Sequence, residues 1–190
     1  MKYRDSGMPE EEVWESFFNP EVTLKLLEVN KDIGDLLDIG TGYGTFLIPA
    51  ANLISGTAIG IDIDEKYLSI CKNVVAQHQI KNVQIINGDI SKEVTLHEVA
   101  KLTKQVDYIS LFNILHCEKP VELMKQAASL LGTGGKVGVI HWIQDETPRG
   151  PPSHIRPKPE DIIRWGEEAG LNLKKQVDLP PYHFGLLLEK

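Results

Sequence analysis

Short apolar runs and longer amphipathic runs alternate along the middle of the chain. The short runs are rich in β-branched residues and predict buried strands, whereas apolar residues spaced three and four apart predict helices. Strands that alternate with helices are typical of a parallel sheet covered by helices. We therefore predict five parallel strands, at residues 35–39, 57–62, 83–87, 106–112 and 136–142.

The runs between these strands predict the helices. The predicted helical segments are residues 45–53, 65–78, 94–103 and 120–131. Asp64 precedes the second of them, where its carboxylate can accept from free N–H groups of the first turn. Glycines concentrated at residues 132–135 predict a turn before the fifth strand.

Residues 1–30 precede the sheet and predict an N-terminal helical lid segment of two helices separated by a break at Pro20. Trp14, Phe17 and Phe18 lie at its centre. These aromatic residues could cover a ligand or pack as an ordinary amphipathic helix, and their spacing fits both interpretations.

The last part of the chain departs from the alternation. Residues 144–159 contain five prolines and no apolar period, which predicts a long ordered or semi-ordered loop of the kind that serves as a lid. A helix at 160–169 and two strands at 173–177 and 184–188 follow, and their tight connection makes the strands antiparallel. We predict that residues 1–190 form one α/β domain. Its fold would be a three-layer α/β/α Rossmann-like one, with a mostly parallel seven-stranded sheet and a C-terminal antiparallel hairpin.

Composition narrows the possible partners. The net charge of −7 and the lack of clustered Lys and Arg argue against a nucleic-acid partner. No run of about 18 apolar residues occurs, so no membrane span is expected, and the charged start of the chain predicts a cytoplasmic protein. Cys71 and Cys117 are too far apart for metal-ligand spacing, so we predict no metal site.

The candidate chemistry begins after the first strand. Residues 36–46 read LLDIGTGYGTF, so Gly40, Gly42 and Gly44 lie where the strand turns into the helix. Without side chains, this turn lets a ligand approach the backbone closely. Asp62 ends the second strand 18 residues after Gly44, where a carboxylate can accept two hydrogen bonds from a ribose diol.

The spacing of the glycines distinguishes two cofactors. A dinucleotide fingerprint reads G-x-G-x-x-G, whereas this loop reads G-x-G-x-G. Asp38 precedes the loop and would repel a pyrophosphate, but it suits a ligand with a cationic amine. The loop therefore favours S-adenosylmethionine over NAD, and an NAD-dependent oxidoreductase is the less favoured alternative.

Five motifs in a fixed order make the chain similar to a known family. They are LLDIGTGYG at 36–44, GIDID at 60–64, NGDI at 87–90, VDYISLFNILH at 106–116 and LLGTGGKV at 130–137. With them, roughly residues 30–142 resemble the class I (Rossmann-like) S-adenosylmethionine-dependent methyltransferases. Within that class, the chain is similar to the small-molecule group that includes the ubiquinone/menaquinone-biosynthesis C-methyltransferases.

The resemblance implies roles for the residues of the glycine loop. The backbone of Gly40, Thr41, Gly42 and Gly44 would hold the methionine part of the cofactor, with Asp38 near its amine. As an alternative, Asp38 could be a buried carboxylate that is hydrogen-bonded for structural reasons.

The resemblance also implies roles at the ends of the next strands. Asp62 would bind the ribose hydroxyls, with Ile63 against the adenine. Asp89 would accept from the exocyclic amine of the adenine, with Ile90 on the ring face, and Asn113 would lie beside the reactive methyl. Helix capping by Asp62 and turn formation by Asp89 and Asn113 are the structural alternatives.

The methyl acceptor has less distinct candidates. Methyl transfer from a sulfonium is an in-line displacement, in which the protein mainly aligns and desolvates the acceptor. A general base helps when the acceptor is a hydroxyl or an acidic carbon. His116 follows the fourth strand, His141 ends the fifth, and His154 lies in the proline-rich loop. Arg156 in the same loop could orient an anionic acceptor bidentately.

Other functions stay open at this level. The motifs concern cofactor binding, so a non-catalytic S-adenosylmethionine-binding or scaffold protein is the main alternative. Residues 180–182 read PPY, like part of the Asn-Pro-Pro-Tyr motif of amino-methylating enzymes, but that motif belongs after the fourth strand, where this chain reads FNIL. We expect a small-molecule acceptor. The type of atom methylated and the oligomeric state, a homodimer among the options, stay open.

Overall fold

The apolar runs form one mixed sheet of seven strands in the computed structural model, which describes residues 19–190. The strands are β1 (Leu36–Ile39), β2 (Ala58–Asp62), β3 (Val83–Asn87), β4 (Val106–Phe112), β5 (Leu131–Trp142), β6 (Asn172–Leu179) and β7 (His183–Glu189). Most of the predicted 1–30 lid segment, with Trp14, Phe17 and Phe18, lies outside the described residues.

The strand order is β3-β2-β1-β4-β5-β7-β6. Strands β1 to β5 pair in parallel, whereas β7 runs antiparallel to both β5 and β6. This topology confirms the predicted, mostly parallel sheet with an antiparallel C-terminal hairpin. The order reverses between β1 and β4, and the carboxyl ends of strands at such a reversal open a crevice in which α/β sheets bind ligands.

Helices cover the sheet on both faces. They are α1 (Pro20–Leu26), α2 (Leu47–Leu53), α3 (Glu65–Gln77), α4 (Glu93–Leu102), α5 (Pro120–Leu130) and α6 (Pro159–Glu168), with a 3-10 helix at Ser153–Ile155. The cap predicted for α3 is confirmed, because Asp64 Oδ1 accepts from the N–H of Lys66 at 2.8 Å. Within residues 19–190, none of these helices combines the length and apolar character that crossing a membrane requires.

The core is divided by the sheet. On one face, Leu37 and Ile59 belong to a cluster with residues of α4, α5 and α6. On the other face, Leu36 and Tyr108 belong to a cluster with residues of α1 and α2. Burial of both faces explains why the central strands read as continuous apolar runs.

The turn predicted at residues 132–135 lies inside β5, where the pairing with β4 is irregular. The strand begins at Leu131, which pairs with Val106 before a shift in register. The N–H of Gly134 donates to the carbonyl of Lys190, and the N–H of Lys190 donates to the carbonyl of Gly135. Gly134 has φ of 73°, and the next residue of β5 that pairs with β4 is Lys136, so hydrogen bonds to the last residue of the chain hold the glycines in an irregular part of the strand.

Candidate functional site

The glycine loop joins β1 to α2 at the carboxyl edge of the sheet. Its glycines have φ of 81° at Gly40 and 87° at Gly44, a region that side chains disfavour. A Cβ on Gly40 would lie 2.6 Å from Cγ2 of Ile114, and one on Gly44 would lie 2.5 Å from Sγ of Cys71. The glycines are thus required by the conformation and packing of the loop, which brings it against the segment after β4.

Asp62 ties this loop to the end of β2. Its Oδ2 accepts from the N–H of Gly42 at 2.8 Å, and its Oδ1 accepts from the N–H of Asp64 at 2.9 Å. Each carboxylate oxygen has a further lone pair, and the side chain is half-buried. Asp62 therefore holds the loop and keeps acceptor capacity for a diol, while Asp64 caps the helix.

Asp38 is a buried carboxyl on β1. It is 3% exposed, and its Oδ1 accepts from the hydroxyl of Ser110 on the neighbouring β4. Burial raises the pKa of Asp38 to about 6, the hydroxyls of Ser110 and Thr41 oppose that rise, and the carboxylate of Asp62 adds to it. Near neutral pH this site therefore holds a negative charge with low solvation, which suits a cation.

The residues predicted around the adenine separate into two groups. Ile63 is 51% exposed beside Asp62 and presents an apolar surface to a ring. Asp89 is half-buried and accepts from the N–H of Ser91 at 2.8 Å. Ile90, in contrast, is 1% exposed and packs in the core, so it is a core residue and not the ring-contacting residue that was predicted.

Asn113 follows β4 and carries two unusual features. Its φ is 56°, although it is not glycine. Its side chain is buried, and within residues 19–190 neither amide atom has a hydrogen-bond partner. A buried polar group without a partner costs free energy, and strained backbone is often found at functional sites. With these features, Asn113 stays a candidate ligand-binding residue.

Taken together, these groups fit S-adenosylmethionine. The donor set offers a buried carboxyl for the ammonium group, a half-buried carboxylate for the ribose and an exposed aliphatic side chain for the adenine. The orphaned amide of Asn113 lies at the end of the strand next to β1. The fit therefore rests on features that the packing of the core alone does not explain.

Two residues that were predicted to contact the methyl acceptor, His116 and His141, lie buried near the ends of β4 and β5. The rings of His116 and His141 meet edge to face, with their centroids 5.5 Å apart. Burial, followed by the neighbouring His116, lowers the pKa of His141 to about 3, which makes it a weak base at neutral pH. His141 is thus a neutral core imidazole and not the predicted base, whereas the role of His116 stays a prediction.

Arg156 corrects the prediction that it orients an anionic acceptor. It is buried, and its guanidinium lies 5.3 Å from the ring of Trp142. Its N–H groups donate to four carbonyls and one hydroxyl of the proline-rich loop, those of Ile143, Asp145, Arg149, Pro151 and Thr147. With its donors directed into the loop, Arg156 holds the loop together. His154 is exposed in the 3-10 helix.

Sequence reasoning missed two residues of this edge of the sheet. Ser110 lies within the motif at 106–116, but its role was missed because it depends on its register opposite Asp38. His183 pairs with Trp142 across β5 and β7, with ring centroids 4.1 Å apart. Burial, and then Arg156, lowers the pKa of His183 to about 3, so it too is a neutral imidazole. In the sequence, the signal for His183 was its position at the start of the last strand.

Comparison with known families gives a match across most of the chain. A family model described as a methyltransferase domain matches residues 30–169. The matched span includes the glycine loop, Asp62, Asn113 and the whole proline-rich loop with Arg156.

Solved structures share the fold. One is described as a SAM dependent methyltransferase from Aquifex aeolicus, with a TM-score of 0.79, 21% identity and coverage of 95% of this chain and 93% of that chain. Another is the magnesium protoporphyrin IX methyltransferase of Synechocystis PCC 6803 with bound SAM, with a TM-score of 0.69, 15% identity and coverage of 93% and 80%. At such identities the likeness concerns the fold.

A match to a curated relative covers a short segment of the chain. The rRNA N(6)-adenosine-methyltransferase METTL5 of Danio rerio is 36% identical over 53 residues, which are 28% of this chain. The match spans 26% of that relative.

Proposed function

The chain belongs to the methyltransferase domain family, and from that premise we propose that it transfers a methyl group from S-adenosylmethionine to a small-molecule acceptor. The class, a class I S-adenosylmethionine-dependent methyltransferase, follows from the family and the fold. Two further points are part of the proposal. The acceptor is a small molecule, and the chain is related to the ubiquinone/menaquinone-biosynthesis C-methyltransferases.

We propose that the cofactor lies across the ends of β1, β2 and β3. The backbone of residues 40–44 would hold its methionine part, and the charged carboxylate of Asp38 would receive its ammonium group. Asp62 would accept from the ribose, and Ile63 and Asp89 would contact the adenine. The orphaned amide of Asn113 supports this arrangement most directly, because a partner is expected for it there.

The bound cofactor supplies a methyl group that its sulfonium has already activated. The residues of this chain contribute alignment and exclusion of water. Asp38 anchors the amino-acid end in a buried position, where the attraction between charges is stronger than in water. Asp62 fixes the loop and would hold the ribose, and Asn113 would lie beside the reactive end of the cofactor, near the ends of β4 and β5. An acceptor held there in line would need little further activation.

The proline-rich loop supports a small acceptor. It leaves the end of β5, at the edge of the sheet where the glycine loop lies, and Arg156 ties it together by donating to the carbonyls of Pro151 and Ile143. An ordered wall of this kind suits an enclosed site better than an extended polymer. We further propose that residues 144–159 cover the site as a lid, with His116 and His154 as candidate acceptor contacts.

The match to METTL5 raises RNA as the second candidate acceptor. The net charge of −7 opposes RNA, because binding to phosphates requires clustered Lys and Arg. The segment after β4 reads FNIL and lacks the Asn-Pro-Pro-Tyr type of motif. The small-molecule acceptor is therefore the better-supported of the two.

Radioactive methyl transfer tests the proposal. The purified chain is incubated with S-adenosylmethionine labelled in the methyl group, and with either a small-molecule cell extract or total RNA. We expect label in the small-molecule fraction, and none in that fraction with Asp62→Ala as the cofactor-site control. Label in RNA alone would replace the small-molecule acceptor. Tight cofactor binding without transfer to either fraction would favour the non-catalytic alternative.

A further inference from the structure

Ser110 is a polar residue in an otherwise apolar strand. It lies between Ile109 and Leu111 on β4, and it is 2% exposed. Its register partner on β1 is Asp38, and its hydroxyl donates to Oδ1 of that carboxyl. A buried hydroxyl is tolerated when it is hydrogen-bonded, so this pair is one polar unit inside the sheet.

The surroundings of Asp38 give that hydrogen bond its importance. Burial opposes the charged form of Asp38, and so does the carboxylate of Asp62 at the end of β2. The hydroxyl that donates a hydrogen bond to this carboxylate, and so favours its charged form, is that of Ser110 on β4. Burial, and then the carboxylates of Glu28 and Asp38, raise the pKa of Tyr108, which lies two residues before Ser110. The hydroxyl of Tyr108 donates to the carbonyl of Leu27 and not to Asp38.

We propose that Ser110 is a positioning residue of the cofactor site, whose hydroxyl holds Asp38 charged and oriented to receive the ammonium group of the cofactor. The inference rests on the proposed role of Asp38 as the partner of that ammonium group. Ser110 does not touch the cofactor in this account, because it acts through Asp38 from the neighbouring strand.

Removal of the hydroxyl has a consequence that depends on pH. Hydrogen bonds to the charged form of a carboxyl lower its pKa, so the pKa of Asp38 rises further above 6 when Ser110 is replaced by alanine. If the rise is about one unit, the charged fraction at pH 6 falls about fivefold, whereas at pH 7.5 it falls by less than about 1.5-fold. The loss of cofactor affinity is therefore concentrated on the acid side.

The experiment measures the affinity for S-adenosylhomocysteine by calorimetry from pH 5.5 to 7.5. The natural chain should gain affinity as pH rises through about 6. Ser110→Ala should shift this rise to higher pH, with affinity about fivefold weaker at pH 6 and close to natural at pH 7.5. Ser110→Thr, which keeps a hydroxyl on a β-branched side chain, should restore the natural profile.

Two further variants separate the possible outcomes. Ser55→Ala removes a hydroxyl that donates to the carbonyl of Ile33 away from the site, so its profile should match that of the natural chain. Asp38→Asn should flatten the profile. A natural profile in Asp38→Asn would overturn the role of Asp38 itself. With a flat Asp38→Asn profile, an unshifted Ser110→Ala profile or a loss equal at every pH would overturn the role of Ser110. If Ser110→Ala does not fold, Ser110→Cys, with its weaker donor, is measured in the same way.

Discussion

The backbone N–H of Gly42 donates a 2.8 Å hydrogen bond to the carboxylate of Asp62 and so joins the glycine loop to the end of β2. The other oxygen of the same carboxylate accepts from the N–H of Asp64. One side chain thus shapes the loop that would hold the methionine part of the cofactor and offers acceptor capacity to the ribose. Loop geometry and cofactor affinity are therefore expected to change together at this position.

Replacement of Asp62 by alanine tests that coupling. The variant leaves two backbone N–H groups without their acceptor, which should lower the free energy of unfolding by about 1–3 kcal/mol. Calorimetry should show cofactor affinity reduced by about 100-fold, because a ribose partner and the loop conformation are lost together.

Asp64→Ala is the matched control for Asp62→Ala. It removes the cap of α3, and it should lower the free energy of unfolding by about 0.5–2 kcal/mol with cofactor affinity nearly unchanged. Equal affinity losses in the two variants would mean that the effect of Asp62 is one of stability alone.

The charged form of Asp38 should lower the free energy of unfolding, although the proposed cofactor site requires it. Its pKa is about 6 in the folded chain, above the ordinary value of 3.8. Its protonation therefore stabilises the fold fully below about pH 4, and this contribution is lost as pH rises through about 6. Asp38→Asn should raise the free energy of unfolding by about 1–3 kcal/mol at pH 8, with a much smaller gain at pH 4. Urea unfolding at both pH values measures the difference, and an equal gain at both would contradict it.

Two substitutions at Asn113 separate the effect of its positive φ from the effect of its side-chain amide. Asn113→Gly relieves the positive φ, whereas Asn113→Ala keeps it, so the glycine variant should be more stable by about 1 kcal/mol. Both variants lose the buried amide, so both should lose methyl transfer. Thermal unfolding and transfer of labelled methyl groups measure the two effects. Full activity in Asn113→Gly would leave the amide without a functional role.

Arg156 should govern the order of the proline-rich loop. Arg156→Met removes five hydrogen bonds to the loop, so backbone amides of residues 143–158 should exchange hydrogen faster, with a cost of about 2–4 kcal/mol in stability. Cofactor affinity should be retained, because the loop that Arg156 holds is proposed to lie beside the methyl acceptor and not to bind the cofactor.

The exposed Arg164 provides the comparison for Arg156. Its ion pair with Asp161 lies on the surface of α6, so Arg164→Met should change stability by less than about 1 kcal/mol and leave loop exchange unaltered. Unchanged exchange in Arg156→Met would show that other contacts hold the loop.

The sequence predicts most of the fold because strands that are buried on both faces are largely apolar. The bounds of β4 follow from such a run, whereas β3 alternates buried and more exposed positions and is recognised by its β-branched residues. The start of β5 could not be predicted, since its glycines are held by hydrogen bonds to Lys190, 55 or more residues away in the chain. Sequence patterns reveal turn preferences among neighbouring residues, but they do not reveal pairing between residues that are this far apart in the chain.

The candidate site was predictable where backbone chemistry demands particular residues. Glycine spacing and a carboxylate at a strand end locate the loop and Asp62. The partners of Arg156 are mainly backbone carbonyls, which leave no trace in side-chain sequence. Ser110 acquires its role from strand register, and the burial of Ile90 depends on which way the chain turns after β3.

Calorimetry with S-adenosylhomocysteine and with NAD, on the natural chain and on Asp62→Ala, tests the central claim most directly. We expect S-adenosylhomocysteine to bind one site per chain at pH 7.5, with much weaker binding to Asp62→Ala and no binding of NAD to either. Binding of NAD without binding of S-adenosylhomocysteine would contradict the account of the site.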